Sequence, residues 1–485
     1  MSDHDIIIVG GGIGGLTAAA LLSDAGKKVL LLEQHKELGG CAATFSRNGY
    51  RFDAGATVGC GFQKDGPMDW LAERLNINWP LYPLSTAWKY IDGSDTISLD
   101  PKRREILRRF PKSQAFWKEQ ADVADHLWGL STSILSQYHL NRLQQVTSLA
   151  RSLSTKLLHP KIIRLSLMSV RRWLRRHHLE NDMEFCRFID AQLLISSQTT
   201  SPSANALFAA MALDLPRKFP CSIQGGMGSI ASILAEAVKE RGSIIHCGEK
   251  AFSLETIKGK VTGIVTDKNH YSAKEFIING SSASLALLLK KSIPSDWKKK
   301  SRSRWGAFIL HMGLPYDLLA RLNSPHLQII DRHSITVAEG NSLFLSASHP
   351  QDLLRSQPGM VAVSLSTHTN VDLWWKAHQR GTDTYEEMKR RYTEKMLRLL
   401  ERHVPGVSAN MDSCLAGTPI TYARYTGRYL GLVGGYTQNG IFPPRQNLFG
   451  LKNCSLVGDA TFPGQSLAGV TVGAALKADR ILDRI

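Results

Sequence analysis

The chain has 485 residues, of which 43% are hydrophobic and 21% charged, and its formal net charge is +17. This composition excludes a wholly disordered protein, and the length predicts two or three domains. The seven cysteines are scattered and form no Cys-x-x-Cys pair, which excludes a disulfide framework and a cysteine-based metal site and favours a reducing compartment.

No targeting or membrane-spanning segment is predicted. No apolar run reaches the roughly 20 residues that a membrane-spanning helix needs. The N-terminus carries acidic residues and enters its first strand almost at once, so we expect no signal or transit peptide and a cytoplasmic location.

The first 33 residues have the pattern of a complete βαβ nucleotide-binding unit. A buried strand predicted at residues 6–9 leads directly into a glycine-rich loop and then into a helix over residues 16–22. Gly26 is placed to end that helix, and a second buried strand at residues 28–32 closes on Glu33. A carboxylate at this distance from the loop accepts hydrogen bonds from the hydroxyls of a ribose.

The loop reads Gly10-x-Gly12-x-x-Gly15, with Ile13 and Gly14 in between. Gly10 permits the tight turn, Gly12 lets the backbone approach a pyrophosphate, and Gly15 lets helix and strand pack closely. The helix that begins here presents unpaired N–H groups and a partial positive charge to the phosphates. The sequence therefore predicts a dinucleotide site at this loop.

Glycine-rich turns recur further along the chain. Gly39 and Gly40 follow the second strand, a Gln-Gly-Gly-Met-Gly turn occupies residues 224–228, and Gly458 with Asp459 follows an apolar strand at residues 454–457. The turn at Gly39 brings more backbone N–H groups toward the first loop. A nucleotide longer than the adenosine half of NAD is therefore implied.

Between these turns the chain changes character. Residues 101–219 are helical in period and rich in Leu, Trp, Arg and Lys, which indicates an inserted helical region. The later elements predicted are a helix at 229–241, strands at 243–246, 261–266 and 275–279, a long charged helix at 384–403 and a terminal helix at 468–485.

Together these motifs resemble the FAD-dependent carotenoid desaturase and isomerase family, a phytoene desaturase-like group within the amine-oxidase-like flavoproteins. The residues that carry the resemblance are Gly10-x-Gly12-x-x-Gly15 with Glu33, Gly39-Gly40, Tyr50-x-Phe52-Asp53-x-Gly55, Gln224 to Gly228, Thr418 to Gly435, and Gly458-Asp459-x-x-Phe462-Pro463-Gly464-Gln465. Gly39-Gly40-Cys41-Ala42 and Thr426-Gly427-Arg428 look most similar to the C-3′,4′ desaturase and carotenoid isomerase branches. Many amine oxidases carry an arginine where Cys41 stands, which argues for a less polar substrate.

The resemblance implies FAD as the cofactor and gives several residues a role. The ADP half would be held by Gly10, Gly12, Ile13, Gly14, Gly15 and Glu33, and the ribityl and pyrophosphate region by Gly39, Gly40, Gly458 and Asp459. Asp459 is alternatively a helix-capping aspartate. Ala468, Gly469 and Val470 open the terminal helix, whose positive end would face the pyrimidine ring and stabilise the reduced flavin.

The expected fold class is α/β, with a discontinuous Rossmann-like FAD-binding domain and a mixed substrate domain that carries a helical insert. The FAD-binding domain is assigned residues 1–75, 220–290 and 445–485. The substrate domain is assigned residues 76–219 and 291–444, with the insert at about 101–219.

The implied reaction needs few protein groups. The flavin takes a hydride at its N5 and the polyene delocalises the resulting positive charge, so the protein positions the substrate and excludes water. A single dinucleotide loop predicts a quinone or oxygen as electron acceptor.

No base is assigned, because His246, His311 and His403 are expected to be structural or at the surface. The tyrosines at 422, 425, 429 and 436 line an apolar tunnel or are plain core.

The positive charge is concentrated in residues 126–179. This stretch contains no Asp or Glu but nine basic residues, which are Arg142, Arg151, Lys156, Lys161, Arg164, Arg171, Arg172, Arg175 and Arg176. Arg164, Arg171 and Arg175 recur at the spacing of one helical face. The pattern predicts an interfacial helix on an anionic membrane, or else a solvated basic face packed on its own domain. No nucleic-acid-binding module is present, so nucleic acid is not an expected partner.

Three hypotheses remain open. The first is a peripheral membrane flavoenzyme that desaturates or isomerises a carotenoid. The second is an amine-oxidase-like or other flavin oxidoreductase with a different lipophilic substrate. The third is a non-catalytic flavin-binding or lipid-binding protein.

Overall fold

The computed structural model describes residues 4–138, 160–293, 305–334, 336–440 and 449–485. The strands of these residues are, in chain order, β1 (His4–Val9), β2 (Val29–Glu33), β3 (Thr44–Arg47), β4 (Tyr50–Asp53), β5 (Leu81–Pro83), β6 (Lys89–Asp92), β7 (Asp95–Ser98), β8 (Cys221–Ile223), β9 (Ile244–Cys247), β10 (Ala251–Ile257), β11 (Lys260–Thr266), β12 (His270–Tyr271), β13 (Ala273–Asn279), β14 (Trp305–Pro315), β15 (His326–Ile330), β16 (Ser342–Ala347), β17 (Met360–Asn370), β18 (Ser413–Gly417) and β19 (Cys454–Val457).

The α-helices of the same residues are α1 (Ile13–Asp24), α2 (Pro67–Leu75), α3 (Arg104–Arg109), α4 (Gln114–Leu135), α5 (Pro160–Ser166), α6 (Val170–Arg176), α7 (Met183–Ser197), α8 (Ala206–Ala212), α9 (Gly228–Glu240), α10 (Ser282–Leu288), α11 (Tyr316–Ala320), α12 (Val371–Gln379), α13 (Thr382–Glu401), α14 (Val407–Asn410), α15 (Pro419–Thr426) and α16 (Leu467–Leu482).

Five strands form a parallel sheet in the order β19-β13-β1-β2-β9. Its central strands are apolar on both faces, and Ile6, Ile7 and Ile8 of β1 are completely buried. One face packs against α1, α9 and α16, and the other against α10 and the antiparallel ribbon of β10 to β12. Such double coverage is what permits continuous apolar strands. The predicted βαβ unit and the Rossmann-like fold are confirmed.

A second sheet has seven strands in the order β18-β14-β17-β16-β15-β6-β7. The long strands β14 and β17 pair antiparallel along their whole length, and β15 pairs parallel with β6. Helices α12 and α13 pack against this sheet, where Trp374 stacks on Phe308 with ring centres 5.2 Å apart. The charged helix predicted at 384–403 is α13. The division into domains stays a prediction, although each sheet draws its strands from separated parts of the chain.

The described residues of the insert are mainly helical, but residues 160–176 of its basic stretch do not form a single helix. Helix α5 ends at Ser166 and α6 begins at Val170, because the N–H groups of Val170 and Arg171 bond to carbonyls of the loop at 201–204 instead of the preceding turn. The hydroxyl of Ser169 then caps α6. The prediction that Arg164, Arg171 and Arg175 share one helical face is therefore wrong. Of the nine basic residues, Arg142, Arg151 and Lys156 lie outside the described residues.

Glu119 of α4 fixes the orientation of α6. Its carboxylate accepts hydrogen bonds from Trp173 Nε1 at 2.8 Å and from His177 Nε2 at 2.7 Å, and it pairs with Arg164. The hydrogen bond from His177 is the largest of the effects that lower the pKa of Glu119 to about 2; burial opposes it, while Trp173 and Arg164 act with it. With Trp173 buried against α4, the arginines of α6 point outward.

Acidification is expected to release this contact. Because the pKa of Glu119 is depressed in the folded state, its stabilising contribution is present in full above pH 4.5 and is lost as the pH falls toward about 2. Glu119→Gln should therefore lower the urea midpoint at neutral pH and reduce its decline below pH 4.5. Glu240→Gln, at the exposed end of α9, is the matched control. Equal pH profiles for wild type and Glu119→Gln would contradict this account.

Candidate nucleotide-binding site

The first glycine-rich loop lies between β1 and α1, at the carboxyl end of the parallel sheet. Gly10 has a positive φ of 102°, and Gly12 precedes α1 without any side-chain cap on the helix. A Cβ added to Gly15 would lie 2.2 Å from the carbonyl oxygen of Gly10, and one on Gly14 would lie 3.0 Å from Gly458 Cα. These positions admit only glycine, and the N–H groups of the first turn are left for an anion.

Asn279 was not predicted as part of this site. It ends β13, next to β1, and its amide donates a hydrogen bond to the carbonyl of Gly10 at 3.2 Å. A Cβ added to Gly12 would lie 2.5 Å from Asn279 Nδ2. A side chain at position 12 would therefore displace the amide of Asn279, in addition to hindering the approach of a pyrophosphate. A polar residue at the carboxyl end of a neighbouring strand was the available signal.

Glu33 lies at the end of β2, as predicted, with its carboxylate at the loop. One oxygen accepts a hydrogen bond from the N–H of Gly11 at 2.7 Å, and the other from the N–H of His35 at 2.9 Å. The side chain is thus held beside the loop.

The second glycine pair lies against the first loop. Gly39 donates its N–H to the carbonyl of Gly11 at 2.8 Å, and Gly39 and Gly40 have φ values of 111° and 60°. A Cβ on Gly40 would be 3.4 Å from Gly12 Cα. The structure therefore brings residues 10–15 and 39–40 together.

The third segment follows β19 and packs on the same loop through Gly458. The carboxylate of Asp459 forms an ion pair with Arg428. Its alternative interpretation as a helix cap is wrong, because Ser466 caps α16 and accepts a hydrogen bond from the N–H of Gly469 at 3.0 Å. Arg428 was noted only as part of the family resemblance and had no assigned role.

The start of α16 also contacts a buried cysteine that the sequence did not reveal as a site residue. Burial raises the pKa of Cys60, and the hydrogen-bond donors of Leu467, Ala468 and Ser466 at the start of α16 oppose the rise only in part. The N–H of Val470 bonds to the carbonyl of Ser466 at 3.0 Å. The first turn of this helix is therefore partly satisfied by the protein itself.

The turn at 224–228 is anchored by a buried ion pair. Asp53 Oδ1 accepts hydrogen bonds from Met227 N and Thr44 Oγ1, each at 2.8 Å, and Oδ2 lies 2.9 Å from a guanidinium nitrogen of Arg355. Arg355 comes from the segment between β16 and β17, so these residues join the two sheets. Their role is to hold the nucleotide loops and the second sheet in one arrangement.

The histidines and tyrosines divide between core and surface. His311 is buried and contacts Ser364 Oγ at 3.1 Å, while His246 contacts Glu249 and Tyr271. Tyr422 is buried and donates its hydroxyl to a carbonyl, but Tyr425 is 57% exposed. The four tyrosines therefore do not form one tunnel wall. Among the described residues, no group of His, Cys, Asp and Glu is arranged to hold a metal ion.

The fold and the glycine-rich loops together define a protein with a Rossmann-like nucleotide-binding domain. Residues 8–75 match the model of the NAD(P)-binding Rossmann-like domain. The cyclohexylamine oxidase of Brevibacterium oxydans has the same fold, with a TM-score of 0.63, 14% identity, and coverage of 99% of this chain and 100% of that one.

Sequence relatives give a closer relationship. The chain is 25% identical to a chloroplastic prolycopene isomerase of Daucus carota, over 99% of this chain and 80% of that protein. It is also 25% identical to a phytoene dehydrogenase of Streptomyces griseus, over 99% of this chain and 95% of that protein. The resemblance to the carotenoid desaturase and isomerase family that the motifs indicated is therefore confirmed.

Proposed function

We propose that this chain is an FAD-dependent oxidoreductase that acts on a carotenoid or a similar long polyene and either desaturates it or isomerises its double bonds. The observation that carries the proposal is the similarity to carotenoid enzymes over essentially the whole chain. The three glycine-rich loops, which meet at the carboxyl end of the parallel sheet, independently support a dinucleotide cofactor such as FAD.

The residues at this meeting point fit FAD. The uncapped N-terminus of α1 suits a pyrophosphate, and the glycines of the three loops leave no side chain between the backbone and a ligand. Glu33 would hold the adenosine ribose, while Asp459 and the start of α16, at Ala468 to Val470, would hold the flavin end. When bound, FAD would supply the hydride acceptor, and the protein's part is to position the polyene and exclude water.

The second sheet offers uncharged groups to the interior. Burial lowers the pKa of His311 and of His326 to about 3 and that of His368 to about 4, so all three are neutral at physiological pH. Gln328 and Gln192 form a further neutral network with Trp88. These neutral side chains offer no charge that could pair with a cationic amine, whereas an apolar polyene requires none.

Pigment analysis tests the proposal. Polyene-producing cells that express the protein are expected to accumulate a carotenoid two hydrogens poorer, if it desaturates, or one of equal mass and different double-bond geometry, if it isomerises. The purified protein should then act without a nicotinamide, passing electrons to a quinone or oxygen if it desaturates. Unchanged pigments in cells whose protein holds FAD would contradict a carotenoid substrate and favour the flavin-binding alternatives.

We further propose that α5 and α6 bring the protein to an anionic membrane, from which the polyene enters. Arg171, Arg172, Arg175 and Arg176 are exposed on α6. The flanking segments of the chain expose the apolar residues Ile163, Leu167 and Met183, of which Leu167 is 72% exposed and Met183 is 74% exposed. Exposed basic residues beside exposed apolar ones are the composition of an interfacial segment. No helix in the described ranges is long and apolar enough to cross a membrane.

A further inference from the structure

Arg428 lies between two of the loops that form the nucleotide-binding site. Its side chain is 23% exposed and makes contacts in several directions. Nε donates to Cys41 Sγ at 2.9 Å, Nη1 donates to the carbonyls of Leu432 at 3.4 Å and Gly434 at 2.9 Å, and Nη2 pairs with the carboxylate of Asp459. The guanidinium is therefore fixed in place by carbonyls of its own loop and by the loops that carry Cys41 and Asp459.

The two loops that Arg428 joins border the start of α1. Cys41 follows a glycine whose added Cβ would lie 3.4 Å from Gly12 Cα. Asp459 follows a glycine whose Cα would lie 3.0 Å from a Cβ on Gly14. Arg428 therefore connects the two loops that lie against the start of α1.

Arg428 keeps its positive charge, and one of its hydrogen-bond donors is left for a further partner. Burial acts to lower the pKa of Arg428, but the carboxylate of Asp459 outweighs it and raises the pKa above its ordinary value. Burial raises the pKa of the Cys41 thiol, which is therefore neutral at physiological pH. A guanidinium has five N–H groups, and among the described residues one N–H on Nη2 has no partner.

We propose that Arg428 is the cation of the FAD phosphate site. Its free Nη2–H donates to the pyrophosphate, and its charge offsets the repulsion between Asp459 and the phosphates. The helix N-terminus supplies only about half a positive charge against the roughly two negative charges of a pyrophosphate. A guanidinium suits phosphate because its charge is permanent and its donors are planar. This inference rests on the proposed function, since it requires FAD.

Titration of the flavin-free protein with FAD, followed by flavin fluorescence, tests the role. Arg428→Ala is expected to weaken binding by about tenfold or more, as for loss of a charge-assisted hydrogen bond, and to reduce the dependence of the dissociation constant on salt. Arg424→Ala, which removes the same charge from an exposed position on α15, is the matched control and should leave binding unchanged.

A second variant separates charge from structure. Because Cys41 Sγ lies 2.9 Å from Arg428 Nε, an arginine at position 41 can place a guanidinium in the same space. Cys41→Arg combined with Arg428→Ala should therefore recover most of the lost affinity and the salt dependence. Circular dichroism of the flavin-free variants checks that each one is folded.

The outcomes are distinguishable. Wild-type affinity in Arg428→Ala would overturn the inference. Weaker binding with an unchanged salt dependence and no recovery in the double variant would also overturn it, because the arginine would then only support its loop. Failure of the wild type itself to bind FAD would instead overturn the proposed function.

Discussion

Replacing Gly15 by alanine is expected to abolish FAD binding. The added Cβ would lie 2.2 Å from the carbonyl oxygen of Gly10 and 3.1 Å from Asn279 Cβ. Alanine is favoured over glycine in a helix by about 1 kcal/mol, but the clash is with backbone, which no rotamer change relieves. Overpacking of this kind costs about 1–3 kcal/mol, and it displaces the loop that has to accept the phosphates.

Flavin content, read from the absorption spectrum of the purified protein, measures the effect. Gly440→Ala is the matched control, because a Cβ there meets no atom of the described residues within 4 Å. Gly12→Val should also reduce flavin binding, but its Cβ meets the amide end of Asn279, which can rotate, so we expect a smaller loss than at Gly15. A normal flavin spectrum in Gly15→Ala would show that this loop does not hold the cofactor.

The nucleotide-binding half was predictable because its signals are local. The apolar run of β1, the glycines of the loop and the good helix formers of α1 are adjacent in the chain, and the residue pattern of the strand differs clearly from that of the helix. The strand at 454–457 was equally visible, since an apolar run leads straight into Gly458. Each of these elements is found within a few residues of its predicted bounds.

Partners across the sheet could not be predicted in the same way. That β13 lies between β1 and β19 depends on pairing between residues far apart in sequence, and nothing in each strand alone specifies its neighbours. Asn279 and Arg428 enter the site only through these long-range contacts. The seven-stranded sheet was missed as a sheet for the same reason, because its strands come from three separated stretches, at 89–98, 305–370 and 413–417.

The basic stretch shows where periodicity misleads. A spacing of seven and eleven residues fits one helical face only if the helix is continuous. Here the loop at 201–204 takes the N–H groups of Val170 and Arg171, so the helix restarts after Ser169. Arg164 then pairs with Glu119, whereas the arginines of α6 remain exposed.

Changing Arg171, Arg172, Arg175 and Arg176 together to glutamate is expected to release the protein from anionic vesicles. Each basic side chain near such a surface contributes about 1 kcal/mol, so loss of four weakens binding by about a thousandfold, and the new carboxylates add repulsion. Co-sedimentation with vesicles of phosphatidylserine and phosphatidylcholine measures this. Wild-type binding should weaken with salt, because exposed charges are screened over about 8 Å at physiological ionic strength.

A second surface provides the matched control. Lys250, Lys258, Lys260 and Lys268 are exposed on or beside the ribbon of β10 and β11. This ribbon also exposes apolar side chains, with Phe252 50% and Ile257 63% exposed. Changing these four lysines to glutamate removes the same charge from the chain, and we expect the variant to keep its vesicle binding.

A threefold variant guards against misfolding. Burial raises the pKa of Asp190, and the nearby charge of Arg171 opposes that rise, so a glutamate at position 171 would place two carboxylates together. Changing only Arg172, Arg175 and Arg176 avoids this and should still release most of the protein, with FAD bound as in the wild type. Equal sedimentation of the wild type and the threefold variant would contradict the membrane contact and support the alternative that these arginines form a solvated basic face. Release by the lysine variant instead would place the membrane contact on the ribbon.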